Sequence, residues 1–526
     1  MQSRRTVLKA TGVALAGISI NGAKAAASSG SALAANKMQS AKQMSEFGFM
    51  SAGELLELLA SKAVSSVELT RYFIDRIETY DKDINAVVVR DFERALSVAK
   101  EADRALAKGA SPGALHGLPM TVKESYNIAG LKTTWGFAPW KDMVAREDAL
   151  VVRRYKEAGA VILGKTNVPP MLGDYQSTNE IYGQTNNPWN LERTPGGSSG
   201  GSAAALAAGM TGLESGSDIG GSLRNPAHYC GVYGHKPTWN IISMAGHAPP
   251  VVQTSREVDV AVVGPMARDP QDLKLALDLT VGPHELKNPG WKIDLPQPRA
   301  KRLQDMRVAF WHNDEAAPVT EEIEGRSRQI MALLAKAGAT VSDTARPDID
   351  QQSAAFTYLN LMQAVNASGV PESVFAQNVE AAQAFAEDDM SVSALFARAS
   401  VQSHNDWVNF DVHRNQVRYA WRDFFSDWDL LVCPISNTTA FPHDHGPMDG
   451  RLVDVDGVQR PYFDASFWAG MVSLPGLPGT VFPTGPGKDG LPIGLQAISA
   501  EFHDYTTIEF ARLIQQEIGG FVPPSL

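Results

Sequence analysis

The chain has 526 residues, 44% of them hydrophobic, with 10 Trp, 20 Phe and 12 Tyr, enough apolar material to exclude wholesale disorder. Its 47 Lys and Arg against 58 Asp and Glu give a net charge of −11. That excess of acid argues against a general nucleic-acid binder, which needs cations to displace counterions from phosphates.

Ser3-Arg4-Arg5-Thr6-Val7-Leu8-Lys9 precedes an apolar run from Ala10 to Ile20, followed by the small residues Ala23 and Ala25. This order resembles a twin-arginine signal peptide, and the run is too short to span a bilayer, which takes about 20 apolar residues. Residues 1–27 are therefore expected to be a signal, implying a periplasmic or otherwise exported protein without stable membrane insertion after cleavage. Removal takes away Arg4, Arg5, Lys9 and Lys24 and no acid, moving the charge from −11 to −15. Two cysteines, Cys230 and Cys433, agree with export of a protein already folded in a reducing cytoplasm. Residues 28–44 read as a Ser- and Ala-rich linker, and 45–526 as one large domain beginning near Phe47.

Ser51-Ala52-Gly53-Glu54 and Ser65-Ser66-Val67-Glu68 fit capping boxes, with Leu55, Leu59, Leu69, Phe73 and Ile77 at helical spacing behind them. Short β-rich runs then follow at Ala86–Val89, Leu118–Val122, Ala160–Leu163 and Arg307–Phe310, alternating with helical stretches. The alternation predicts an α/β sheet, with an all-helical lobe over it from about 351 to 425.

Three motif matches fail on context. Gly159 to Thr166 spells a phosphate loop, but Ala160–Leu163 is an apolar β-run and Pro169-Pro170 blocks the helix that should follow. His443-Asp444-His445 lies among Pro442, Gly446 and Pro447 without a helical ligand spacing. Gly197-Ser198-Ser199-Gly200-Gly201 fits a nucleophile elbow centred on Ser199, yet loop residues precede it where a strand belongs.

The stretch from Thr194 to Thr238 concentrates glycine and serine, and Gly220-Gly221-Ser222 would expose successive N–H groups around one hydroxyl. Gly196 to Thr238 closely resembles the amidase signature family of serine hydrolases. The likeness extends through Gly117-Leu118-Pro119, Lys123 to Gly130, Thr133-Thr134, Gly159 to Asn167 and Thr185-Asn186-Asn187-Pro188. It continues through Gly264-Pro265-Met266-Ala267-Arg268 to Gly490-Leu491-Pro492-Ile493-Gly494-Leu495-Gln496. The resemblance implies a large twisted mixed β-sheet covered by helices on both faces. It implies Ser222 as nucleophile, Ser198 after a cis peptide as bridge, Lys123 as base, and an oxyanion hole from the N–H groups of Ile219, Gly220, Gly221 and Ser222. Ser199, Asp218 and Arg224 fall on supporting positions. Glu124 stands where many members have Asp, and Ser125-Tyr126 replaces a commoner Asn-containing pair.

A lysine base must be neutral, and bringing its pKa from about 10.4 to about 7 means disfavouring its charge by roughly 4 to 5 kcal/mol. Lys123 ends an apolar run, so burial can do this. The expected activity is hydrolysis of a linear carboxamide through a Ser222 acyl-enzyme, with no cofactor or metal. Tyr126, Trp135, Phe137, Met171 and Tyr175 are candidate pocket residues for an aryl or alkyl acyl group. The alternatives are ester hydrolysis on the same site and the glutamine-hydrolysing component of an amidotransferase. Homo-oligomer formation is left open.

Overall fold

The computed structural model describes residues 47–110, 113–249, 257–389 and 391–526. The expected signal and linker lie outside the described residues. Both capping boxes form: Ser51 caps Ala52–Ala60 and Ser65 caps Ser66–Ile84, each serine accepting from the backbone of a glutamate that reaches back to it. Leu55, Leu59, Leu69, Phe73 and Ile77 are buried, so the periodicity points into the core. Asp272, distant in sequence, accepts from Ala52 N at 2.7 Å and Gly53 N at 2.9 Å, satisfying two further N–H groups of the first helix.

Two sheets follow. In the smaller, Val161–Thr166 runs parallel to Pro119–Lys123 and antiparallel to Val87–Arg90. The larger has eight strands in the order Thr340–Ser342, Arg307–Phe310, Leu430–Cys433, Pro492–Ile498, Gly479–Pro486, Tyr233–Lys236, Val262–Ala267 and Glu214–Asp218. Its first two pairings are parallel and the remaining five antiparallel, giving a mixed α/β sheet with helices packed against it. The small sheet meets the large one at Glu214–Asp218. Thr121 N donates to Thr211 Oγ1 at 2.9 Å and Gly212 N to Pro119 O at 3.1 Å, which sets the end of Pro119–Lys123 beside that edge strand.

The phosphate-loop letters fall on Val161–Thr166, a wholly buried strand, and Lys165 Nζ is held by Lys132 O and Thr133 Oγ1. His443 to His445 is coil, tied to Gln176 through the Asp444 main chain. Between 351 and 427 lie the helices Gln351–Asn366, Glu372–Gln383, Val392–Ala399 and His404–Asp427. Among the described residues no helix is long and apolar enough to cross a membrane.

Candidate active site

Lys123 is the last residue of its strand and fully buried. Its Nζ donates to Ser198 Oγ at 2.7 Å and to Ser217 Oγ at 2.9 Å. Burial lowers the amine's pKa to about 7, while the carboxylates of Asp218 and Glu214 act in the opposite sense and prevent a deeper fall. Glu214 is itself raised to about 7 by burial, so the charge beside Lys123 is partly quenched near neutrality. In its neutral form the amine carries a lone pair and can accept the Ser198 proton across the same 2.7 Å contact.

Ser198 follows a cis peptide with Gly197 and opens into the buried helix Gly200–Ala207. A Cβ on Gly197 would stand 2.3 Å from Asp174 O and 2.7 Å from Gln176 N, so only glycine fits between these main-chain atoms. Ser199 N donates to Ser222 O at 3.2 Å, which fastens the Ser198 segment to the Ser222 loop. The Ser199 hydroxyl bonds the main chain of Ser217 on both sides, donating to its O at 3.3 Å and accepting from its N at 3.4 Å. It holds the strand edge and, among the described residues, has no histidine partner, unlike an elbow nucleophile.

Asp218 shapes the loop to Ser222. Its Oδ1 accepts from Gly221 N at 2.9 Å and Arg224 Nη2 at 2.8 Å; its Oδ2 accepts from Leu223 N and Arg224 Nε, both at 3.0 Å. Burial opposes ionisation of this carboxyl, but the Arg224 charge and these hydrogen bonds outweigh it and bring the pKa to about 2. Arg224 is satisfied on its far side by Ala469 O, Gln496 Oε1 and Ser473 Oγ. Gly221 sits at φ +101°, a conformation that favours glycine.

The expected oxyanion hole loses one member. The Gly221 N–H is directed into Asp218 and is not available to a ligand. Among the described residues the N–H groups of Ile219, Gly220 and Ser222 donate to no protein acceptor, so these three can face an oxyanion.

The walls of this loop come from distant parts of the chain. A Cβ placed on Gly220 would lie 3.4 Å from Tyr358 Oη, 3.8 Å from Met362 Sδ and 3.9 Å from Tyr175 Oη; one on Gly221 would lie 3.2 Å from Ala469 Cβ and 3.7 Å from Ile435 Cδ1. None of these five side chains is ionised at neutral pH. Tyr175 is braced by Tyr462, 5.6 Å away between ring centroids, whose hydroxyl donates to Asp174; Arg451 pairs with the same carboxylate at 2.7 Å.

Of the five predicted pocket residues, only Tyr175 is brought to the loop. Tyr126 is a second correction: it is fully buried, its hydroxyl donating to Gly216 O at 2.7 Å and lying 2.9 Å from Ser215 Oγ, so it supports the edge strand from within the core. Trp135 is half-buried, with its N–H on Ser125 O and its ring 5.3 Å from that of His247. Met171 is 42% exposed, and Phe137 packs on Trp140. Sequence reasoning missed Ser217, Tyr358, Met362, Ile435 and Ala469. Only Ser217 carried a local signal, standing one strand period from Ser215 and next to Asp218.

Residues 68–508 match the family model described as Amidase. A glutamyl-tRNA(Gln) amidotransferase chain from Moorella thermoacetica is 31% identical over 489 residues, covering 90% of this chain and 97% of that one. An indoleacetamide hydrolase from Bradyrhizobium diazoefficiens is 31% identical over 470 residues, covering 89% and 86%. The solved structure of 6-aminohexanoate cyclic dimer hydrolase complexed with substrate aligns with a TM-score of 0.71 at 26% identity, over 90% of this chain and 97% of that one. The chain therefore belongs to the amidase signature family and is a hydrolase of carbon–nitrogen bonds.

Proposed function

We propose that the protein hydrolyses a small linear carboxamide with an uncharged aryl or alkyl acyl group, through an acyl-enzyme on Ser222. The observation that carries this reading is the fully buried Lys123 amine, 2.7 Å from Ser198 Oγ with its pKa near 7. Neutral Lys123 takes the Ser198 proton, Ser198 takes that of Ser222, and Ser222 Oγ attacks the carbonyl. The oxyanion that forms is stabilised by the N–H groups of Ile219, Gly220 and Ser222. Collapse breaks the C–N bond, and the proton returns along the relay to the leaving nitrogen. Water then attacks the ester in the same way, releasing the acid and restoring Ser222.

An uncharged acyl group is supported by the side chains nearest Gly220 and Gly221, those of Tyr358, Met362, Tyr175, Ala469, Ile435 and Asn225, all of them uncharged. Indoleacetamide hydrolase, an aryl-acetamide enzyme by name, is a relative consistent with it. The amidotransferase relative is as similar and favours glutamine as a second substrate reading, which would require charged partners for a zwitterionic amino acid. The test is peptide mapping after fluorophosphonate treatment, with turnover on indole-3-acetamide, hexanamide, their ethyl esters and glutamine. Labelling at Ser222 and preference for the uncharged amides is expected. Labelling at Ser199 would overturn the assignment, faster ester turnover would make it an esterase, and a preference for glutamine would select the amidotransferase reading.

Export by the twin-arginine route is part of the same proposal, supported by Arg4-Arg5 and the apolar run behind them. The wild type is expected in the periplasmic fraction, shortened at its N-terminus, and the Arg4→Lys/Arg5→Lys double variant in the cytoplasm at full length. Equal distribution of the two would sink the export reading.

A further inference from the structure

We infer that Tyr358, on the helix Gln351–Asn366, is a positioning residue for the oxyanion hole, acting through the carbonyl of Ile219; this rests on the acyl-enzyme reading above. Its hydroxyl donates to Ile219 O at 2.9 Å, from 139 positions away in the chain. That carbonyl and the Gly220 N–H belong to one peptide unit. In a trans, planar peptide the two bonds point in opposite directions, so fixing the carbonyl aims the N–H. The next peptide is pinned differently, by Asp218 on the Gly221 N–H. The loop before Ser222 is thus clamped from two sides, by a carboxylate within it and by a phenol from the helical lobe.

The phenol is itself held in place. Tyr358 is 1% exposed, and its ring occupies the space that a Cβ on Gly470 would claim, 2.5 Å from Cδ1 and 2.9 Å from Cε1. Gly470 belongs to Ser466–Ser473, the same helix whose Ala469 O accepts from Arg224. Burial, with the neighbouring Tyr175, raises the phenol's pKa far above neutrality, so it remains a donor throughout the working range. The 351–427 helices therefore do more than cover the sheet: one of them orients the groups that receive the developing charge.

The test is Tyr358→Phe, which keeps the ring and deletes only the donor. On a small uncharged amide it is expected to lower kcat about tenfold while KM changes less than about twofold. Affinity for a trifluoromethyl ketone that mimics the tetrahedral state should fall by the same factor, a readout that loosened packing alone would not match. Gly470→Ala, which crowds the ring, is expected to copy the effect, and the double variant to be no worse than Tyr358→Phe. Unchanged kcat in Tyr358→Phe, or a KM shift that depends on the acyl group, overturns the inference. Fluorophosphonate labelling of the wild type at Ser222 is the control: its failure would bring down the acyl-enzyme reading and this inference with it, whereas a labelled wild type beside a fully active Tyr358→Phe overturns this inference alone.

Discussion

Lys123→Met is expected to lower kcat for amide hydrolysis by about 10³-fold or more while leaving the fold as stable as before or more so. The loss of rate follows from removing the only buried amine within hydrogen-bond reach of Ser198 Oγ among the described residues. The stability follows from linkage. The folded amine has its pKa near 7 against 10.5 for a free lysine, so between those values the unfolded chain binds a proton that the folded one does not. Wild-type stability therefore rises with pH from about 7 to about 10.5, and the folded state forgoes about 4 kcal/mol at pH 7. Methionine has no charge to desolvate, and this gain offsets the hydrogen bonds lost to Ser198 and Ser217. Denaturant unfolding at pH 7 and pH 9 should show a pH slope in the wild type that is reduced in the variant. In the wild type, kcat/KM should rise with pH through an apparent pKa near 7, because only neutral Lys123 accepts a proton. A variant with near-normal turnover would remove Lys123 from the base position.

The parts of this picture that local chemistry dictates were legible from the residues alone. Ser51 and Ser65 each hold a glutamate three residues on, and that spacing is sufficient for a reciprocal cap. Ala160–Leu163 reads as strand despite its phosphate-loop letters, because β-branched and apolar residues fit a buried sheet and not a loop of inward-turned N–H groups. The resemblance points to Lys123, Ser198 and Ser222 by position; the structure adds, for the first two, a 2.7 Å contact and the burial that depresses the amine's pKa.

What was illegible is what tertiary packing decides. Tyr126 is a pocket candidate as an aromatic residue; the chain turns at the strand end beyond Lys123 and sends its phenol into the core instead. Tyr358, Met362, Ile435 and Ala469 reach the Ser222 loop from helices and a strand end far downstream, with no periodicity or motif to mark them. The Gly221 N–H was misassigned for a related reason. A run of glycines announces free N–H groups, but which of them stays free depends on where the Asp218 carboxylate points.

That carboxylate makes the opposite prediction to Lys123. Asp218→Asn is expected to destabilise the fold by roughly 3 to 5 kcal/mol and to abolish measurable turnover together with it. The substitution conserves shape, so the loss is electrostatic. Arg224 is fully buried and would be left without its counterion, retaining only the neutral acceptors Ala469 O, Gln496 Oε1 and Ser473 Oγ. No amide orientation repairs this, because Oδ1 accepts from Gly221 N and Arg224 Nη2, and Oδ2 from Leu223 N, Arg224 N and Arg224 Nε. Whichever side receives the NH₂ group, it meets at least two donors, and either Gly221 or Leu223 loses its acceptor. Without the first, the Gly220–Gly221 peptide is free to turn and the oxyanion donors scatter. The pH dependence has its own sign: a carboxyl at about 2 when folded and 3.8 when free contributes stability that is fully present above about pH 4 and lost as pH falls through about 2. The gap between wild type and Asp218→Asn in denaturant unfolding should therefore be widest at pH 7 and narrow below pH 3. An asparagine variant as stable as the wild type at pH 7 would show that the Arg224 pair does not hold this loop. A variant that is destabilised yet fully active at low temperature would show that the loop keeps its shape without the carboxylate, and that Tyr358, through Ile219 O, is sufficient to hold it.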